Sequence, residues 1–236
     1  MNASLPNDPL WPRASAWLKP ADANSNYDLG LFGIPAHLTS ISKTNAHLTP
    51  AAIREALQRY STFNWSKNKD VAELSFADFG DVADPDSTEG EARTAALAHD
   101  VSSRSKLAIG LGGDNSVTYA MAKGVFTNSA GTGIVENAGL ITFDAHHDLR
   151  DGVSNGSPVR RLIDELVSYA HCLGSSGLVE LDARRDVDAP HQCRPARGRG
   201  IASAASGDSS DSGVDGAAGG GVAASRRRLS TSAAGR

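Results

Sequence analysis

Every Phe, Trp and Tyr of this chain lies at or before Tyr169, and the last lysine is Lys123. A packed core needs large apolar side chains, because ordering the backbone costs about 1–2 kcal/mol per residue. The stretch after Tyr169 is built instead from Ala, Gly, Ser, Asp and Arg. Ala202-Ser203-Ala204-Ala205-Ser206-Gly207 and Gly216-Ala217-Ala218-Gly219-Gly220-Gly221 are typical of it. The chain therefore divides into an amino-terminal extension, residues 1–26, a folded α/β part, residues 27–170, and a low-complexity tail, residues 171–236. That tail is expected to be disordered from about Leu181 onward. Three origins fit it: a natural flexible tail, a partner-binding tail carried by Arg226-Arg227-Arg228, and a coding sequence that has slipped frame. The frame slip is favoured, because the composition breaks in mid-domain, where a core should continue.

Charge and cysteine content exclude several function classes. A net charge of −4 leaves no basic footprint for nucleic acid or an anionic membrane. Met1 to Trp17 lacks the apolar stretch of a signal peptide, and no run approaches a membrane span. Cys172 and Cys193 are the only two cysteines, too few for a disulfide framework. A soluble, cytoplasmic protein without nucleic-acid or membrane partners is expected.

Residues 27–170 alternate strands and helices. Tyr27 to Gly33 reads as a buried strand entering the loop Gly33-Ile34-Pro35. Thr49 as cap and Pro50 at the first helical position predict a helix over Ala51–Tyr60, with Ile53, Leu57 and Tyr60 at helical spacing. Val71–Phe79 reads as a strand, and Glu89–Ser103 as a helix with Ala92, Ala96, Leu97 and Val101 on one side. Lys106–Leu111 is a third strand, followed by Gly112-Gly113-Asp114-Asn115-Ser116 and a helix to about Lys123. Gly139–Phe143 is a fourth strand, and a helix is expected from Pro158 to about Tyr169. Repeated strand–loop–helix units imply a mostly parallel sheet, with ligands gathered beyond the carboxyl ends of its strands.

Two polar clusters fall there. In Asp144-Ala145-His146-His147-Asp148, an extended backbone would put Asp144, His146 and Asp148 on one face. Two carboxylates and an imidazole suit a divalent ion such as Mn²⁺. The plainer alternative is a polar loop whose Asp residues cap the next turn. His147 would point the other way, as an outer-layer or surface residue. In Gly112 to Ser116 the glycines permit a tight turn, and Asp114 or Ser116 can serve as helix caps.

Taken together these motifs resemble the ureohydrolase (arginase, agmatinase, formimidoylglutamase) family. Gly112 to Ser116 resembles its Gly-Gly-Asp-His-Ser, and Asp144 to Asp148 its Asp-Ala-His-x-Asp. Asp78-x-Gly80-Asp81-Val82, Gly33-Ile34-Pro35 and Thr49-Pro50-Ala51-Ala52-Ile53-Arg54-Glu55 resemble further family motifs. Asn155-Gly156-Ser157-Pro158-Val159-Arg160-Arg161 is similar to its His-Gly-Thr-Pro-Phe-Arg-Arg stretch. The likeness runs in order from about Asp28 to Ile163.

The resemblance implies a three-layer α/β fold, incomplete at the carboxyl end, and hydrolysis of linear amidine or guanidino C–N bonds. It implies two Mn²⁺ per site, with Asp144 bridging, His146 on one ion and Asp148 on the other. The nucleophile would be metal-held hydroxide rather than a side chain. Asp114 would orient a ligand, and His147 and Asn155 would lie near ligand or substrate. A guanidino or formimino small molecule and a trimeric or hexameric assembly are implied as partners.

The chain also departs from the pattern. Asn115 stands where the family carries a metal-binding His, and is expected as a weaker oxygen ligand. Asn155 replaces a His near the substrate. No Ser-x-Asp-x-Asp, which completes both metal sites in the family, follows Tyr169. The expectation is a formimidoylglutamase-like hydrolase, impaired as this chain stands. The rival is a non-catalytic relative that binds a small molecule or partner. An acyl-lysine deacetylase relative would share an Asp-x-His motif, but Gly112 to Ser116 and Asn155 to Arg161 argue against it.

Overall fold

The computed structural model describes residues 10–127, 139–165, 169–174, 177–182 and 223–224. Strand β1 (Tyr27–Ile34) is flanked by β2 (Phe76–Asp81) and β3 (Ser105–Gly112), both parallel to it. The pairing of β1 with β3 runs in register from Tyr27↔Ser105 to Ile34↔Gly112, whereas the β1–β2 register shifts between Leu31 and Gly33. Lys19–Pro20 extends the β2 edge in parallel, and Ala223–Ala224 pairs antiparallel with β3. Strand β4 (Gly139–Phe143) opens a second sheet, parallel to β5 (Tyr169–Gly174), which pairs antiparallel with β6 (Gly177–Asp182). The described strands thus fall into two larger sheets and a short hairpin of Phe63–Asn64 with Lys69–Asp70. Strands β5 and β6 occupy the start of the segment read from composition as a tail. Most of that segment, including Arg226-Arg227-Arg228 and Cys193, lies outside the described residues.

Alternating side chains of β1 cover both faces of the first sheet. Phe32 and Ile34 enter the larger core with Ala98, Val101, Met121, Val125, Val159 and Leu162. Leu31 joins Phe76 and Leu111 on the other face, against Trp17 and Leu18. Phe32, Ile34, Met121 and Leu162 are fully buried, each stabilising the fold by about 1.5–3 kcal/mol.

The helices are α1 (Thr49–Ala56), α2 (Thr88–Arg104), α3 (Val117–Phe126) and α4 (Pro158–Glu165). Helix α3 is central: every residue but Lys123 is buried. Gly124 allows α2 to approach, since a β-carbon there would sit 2.1 Å from the Ala95 carbonyl oxygen. Ser87 caps α2 by accepting from Gly90 N at 3.0 Å, and Glu89 and Glu91 complement the dipole in its first turn. Among the described residues, no helix is long and apolar enough to cross a membrane.

Several details differ from the sequence expectation. Thr49 is the first helical residue and not a cap; a 3-10 turn, Ala46–Leu48, leads straight into α1. Ile53 and Tyr60 are exposed, because α1 turns Arg54 inward to the carboxylates at the end of β2. Helix α2 buries Gly90, Thr94, Ala98 and Val101, leaving Ala92 and Ala96 outside; small residues set its contact with α3. Val71–Glu73 is a 3-10 turn capped by Asp70, so the strand begins only at Phe76. Helix α4 is described to Glu165; residues 166–168 of its expected span lie outside the described residues, and Tyr169, its expected end, opens β5 instead.

Candidate active site

Strands β1 and β3 end side by side, and the turn after β3 is pinned to the loop after β1. Gly113 N donates to the Ile34 carbonyl at 2.8 Å, and Asp114 N to the Ala36 carbonyl at 2.9 Å. The two backbones touch: a β-carbon on Gly113 would lie 1.9 Å from the Ala36 oxygen. Only glycine fits that contact.

Asp114 is buried and serves this turn. Its carboxylate accepts from Ser116 N at 3.0 Å and Ser116 Oγ at 2.5 Å, and from the Ser40 hydroxyl. It therefore braces the entry to α3 and the loop from Ala36.

Asn115 reaches the second cluster. Its Nδ2 donates to Asp148 Oδ2 at 2.5 Å and reaches the Asn155 carbonyl at 3.4 Å. Its Oδ1 accepts from Thr118 Oγ1 at 2.8 Å. Asn155 is stitched in turn to the loop after β1, its Oδ1 accepting from Ile41 N at 3.2 Å and its N–H donating to the Thr39 carbonyl at 3.4 Å.

The Asp144–Asp148 stretch does not stay extended. Asp144, at the end of β4, accepts from His146 N at 2.8 Å and lies 3.2 Å from His146 Nδ1. This short-range bond bends the chain out of the strand. Asp148 then takes a left-handed φ of 54°. The strict every-second-residue alignment is lost: Asp148 is buried, while the His146 ring is 83% exposed. His147 is half-buried, and its Nδ1 has no hydrogen-bond partner among the described residues.

Electrostatically the centre of this region is Asp148. Burial, and then the negative charge of Asp144, push its carboxyl up to about 6; donation from Asn115 and the proximity of His146 oppose them. Such a carboxyl is chemically suited to a divalent cation. Yet among the described residues no three His, Cys, Asp or Glu side chains form a group that could hold a metal ion. His146 faces outward, and Asn115 offers Asp148 an N–H rather than offering a cation an oxygen. As arranged, these described donors do not converge.

The structure thus joins Asn115, Asp148 and Asn155, and separately Asp144 with His146. It leaves Asp114 to the β3–α3 turn. Sequence reasoning missed Thr118 and Ser40. For Thr118 the available signal was its spacing, three residues beyond Asn115 at the start of a helix.

Comparison with known proteins places the chain. The Arginase family profile matches residues 27–197. The formimidoylglutamase of Halalkalibacterium halodurans is 34% identical over 156 residues, covering 61% of this chain and 46% of that protein. The crystal structure of formimidoylglutamase from Bacillus subtilis superposes with a TM-score of 0.60 at 29% identity, over 70% of this chain and 52% of that one. Trypanosoma cruzi formiminoglutamase, crystallised with Mn²⁺, gives a TM-score of 0.57 at 26% identity, over 66% and 53% of the two chains. The chain spans about half the length of these relatives.

Proposed function

Because the chain belongs to the arginase family, we propose that it carries the amino-terminal half of a metal-dependent hydrolase of linear amidine C–N bonds, of the formimidoylglutamase kind. The observation that carries this reading is the meeting of Asn115, after β3, with Asp148, after β4, inside the matched region. Asp144, His146, Asp148 and Asn115 are the proposed Mn²⁺ ligands of this half. Asp114, His147 and Asn155 are proposed as supporting residues near ligand or substrate. A formimino or guanidino small molecule is the proposed substrate class, with the cytoplasm as location and a family-type trimer or hexamer as assembly.

On its own this chain is proposed to be impaired, since its donors do not converge on a cation. The test is a chimera in which the carboxyl-terminal half of a formimidoylglutamase follows Ile163, compared with the chain itself. Amine release from a formimino amino acid is measured with and without Mn²⁺. Mn²⁺-dependent turnover by the chimera, with little by the chain alone, supports the reading. Equal turnover by the two overturns the impairment. A folded chimera that neither binds Mn²⁺ nor turns over favours the second reading, a non-catalytic relative that binds a small molecule or partner. That second reading draws on the same lack of a three-donor group.

A further inference from the structure

We infer that Arg161 is a positioning residue: it fixes where α4 stands against α2 and α3, and through the main chain of α4 it sets the course of residues 148–157. The inference rests on the reading of that segment as part of the candidate site. It concerns a side chain whose partners are the helices behind the segment.

Arg161 makes two kinds of contact at once. Along its edge, Nη1 donates to Glu91 Oε1 at 2.6 Å and Nη2 to Oε2 at 2.8 Å, a two-pronged pair with α2. Its flat face lies 3.5 Å from the centre of the Tyr119 ring on α3. Tyr119 is 3% exposed. Its hydroxyl donates to Glu165, one turn further along α4, and accepts from Lys123 Nζ at 3.0 Å. Arg161 and Glu165, four residues apart on one face of α4, thus grip Tyr119 by its ring and by its hydroxyl. Val159 and Leu162 bury the same helix in the larger core, but apolar attraction is non-directional. A planar guanidinium with two fixed acceptors and a ring beneath it sets rotation and height as well.

The placement matters at the other end of the helix. Arg160 N donates to the Asp148 carbonyl at 3.2 Å. Asp148 holds a left-handed φ of 54°, a conformation that side-chain-bearing residues adopt at a cost and keep where their surroundings hold it. From there the chain closes on itself, Arg150 N donating to the Gly156 carbonyl at 3.0 Å, and is tied at Asn155 to the loop after β1. A first turn of α4 displaced from Glu91 and Tyr119 would withdraw the Arg160 N–H from Asp148.

The test uses the full chain without added metal. Amide hydrogen exchange is read by NMR at Arg160 and, inside α3, at Ala122; the backbone carbon shifts of Asp148 report its left-handed conformation. In Arg161→Met, which keeps an apolar stem and removes the donors, exchange at Arg160 is expected to rise about tenfold more than at Ala122. The Asp148 shifts are expected to leave their left-handed values. Arg161→Lys should recover little of either, because an ammonium lacks the planar fork. Glu91→Gln should move both readings in the same direction by less, and should add nothing to Arg161→Met, since the two residues act as one unit. An equal rise at Arg160 and Ala122, or Asp148 shifts that stay in place, would mean that Arg161 contributes stability alone and positions nothing. If Arg161→Met does not fold, Glu91→Gln decides by the same comparison. The site reading fails separately: a folded chimera without Mn²⁺-dependent turnover counts against it, whereas the exchange measurements need neither metal nor substrate.

Discussion

The Arg54 guanidinium holds both carboxylate oxygens of Asp78, Nε to Oδ2 at 2.7 Å and Nη2 to Oδ1 at 2.8 Å. Its Nη1 bonds Asp81 Oδ1 at 2.7 Å. One residue of α1 thereby closes the carboxyl end of β2. Two of the motifs that carry the family likeness, Thr49 to Glu55 and Asp78 to Val82, prove to be the two sides of this one contact.

Truncating Arg54→Ala should cost about 2 kcal/mol, between the values of exposed and fully buried pairs. Arg54→Lys should recover only part of it, because an ammonium cannot form the two-pronged contact. Urea denaturation midpoints measure both. Two variants of equal, near-native stability would mean that the contact contributes little.

The same contact sets an acid dependence. Burial alone would raise the Asp78 carboxyl, but the Arg54 hydrogen bond and the Gly80 N–H outweigh it and hold it below the usual carboxylate value. A carboxyl lowered on folding stabilises the folded chain above its unfolded value near 3.8, and that stabilisation disappears as pH falls through the folded value. Asp78→Asn is therefore expected to lose stability near neutrality. The gap to the parent should close as pH falls below the unfolded value near 3.8 and through the folded value. A gap independent of pH would show that Asp78 acts through shape and not through charge.

Gly113→Ala forces a β-carbon onto the Ala36 carbonyl, a backbone atom that cannot swing aside. The expected loss is about 3 kcal/mol or more, the upper range for overpacking. Thermal unfolding reads it, and a fall in melting temperature no larger than that of an exposed-site alanine variant would contradict the contact.

Ile141 and Phe143 lie on the face of β4 opposite the buried Leu140 and Thr142, and are 59% and 70% exposed. Phe143→Ser should change stability by no more than about 0.5 kcal/mol. It should reduce self-association on concentrating the protein, measured by light scattering, because an exposed apolar patch invites contact. A large loss of stability would mean that this face is covered in solution.

Much of the architecture was legible from periodicity and turn chemistry. The β4 strand falls on the residues expected, Gly139–Phe143, and β1 extends the expected span by one residue. Helix faces were less legible. A hydrophobic-stripe reading favours Ile53 and Ala92, yet the structure turns a half-buried Arg54 and a buried Thr94 inward at those faces. Each choice depends on a partner distant in sequence, Asp78 for Arg54 and the small-residue surface of α3 for α2.

The candidate site was legible as an inventory and not as a geometry. Asp144, Asp148 and Asn115 stood out by type and spacing. The bend at Asp144, made by its own bond to His146 N, and the left-handed φ of Asp148 are local choices that an alternation rule cannot anticipate. Thr118 was missed although its spacing, three residues beyond Asn115, was a signal; the contact shows only once the Asn115 amide is placed.

The loop that follows β1 is fastened at both ends of its path, at Ala36 to Asp114 and at Thr39 and Ile41 to Asn155. Anyone re-engineering substrate choice by grafting residues 37–45 from a relative would import a piece whose anchoring points belong to the host. The transplantable unit is the loop together with residues 150–156 and the turn at Gly113, three stretches of chain that must be exchanged as a set.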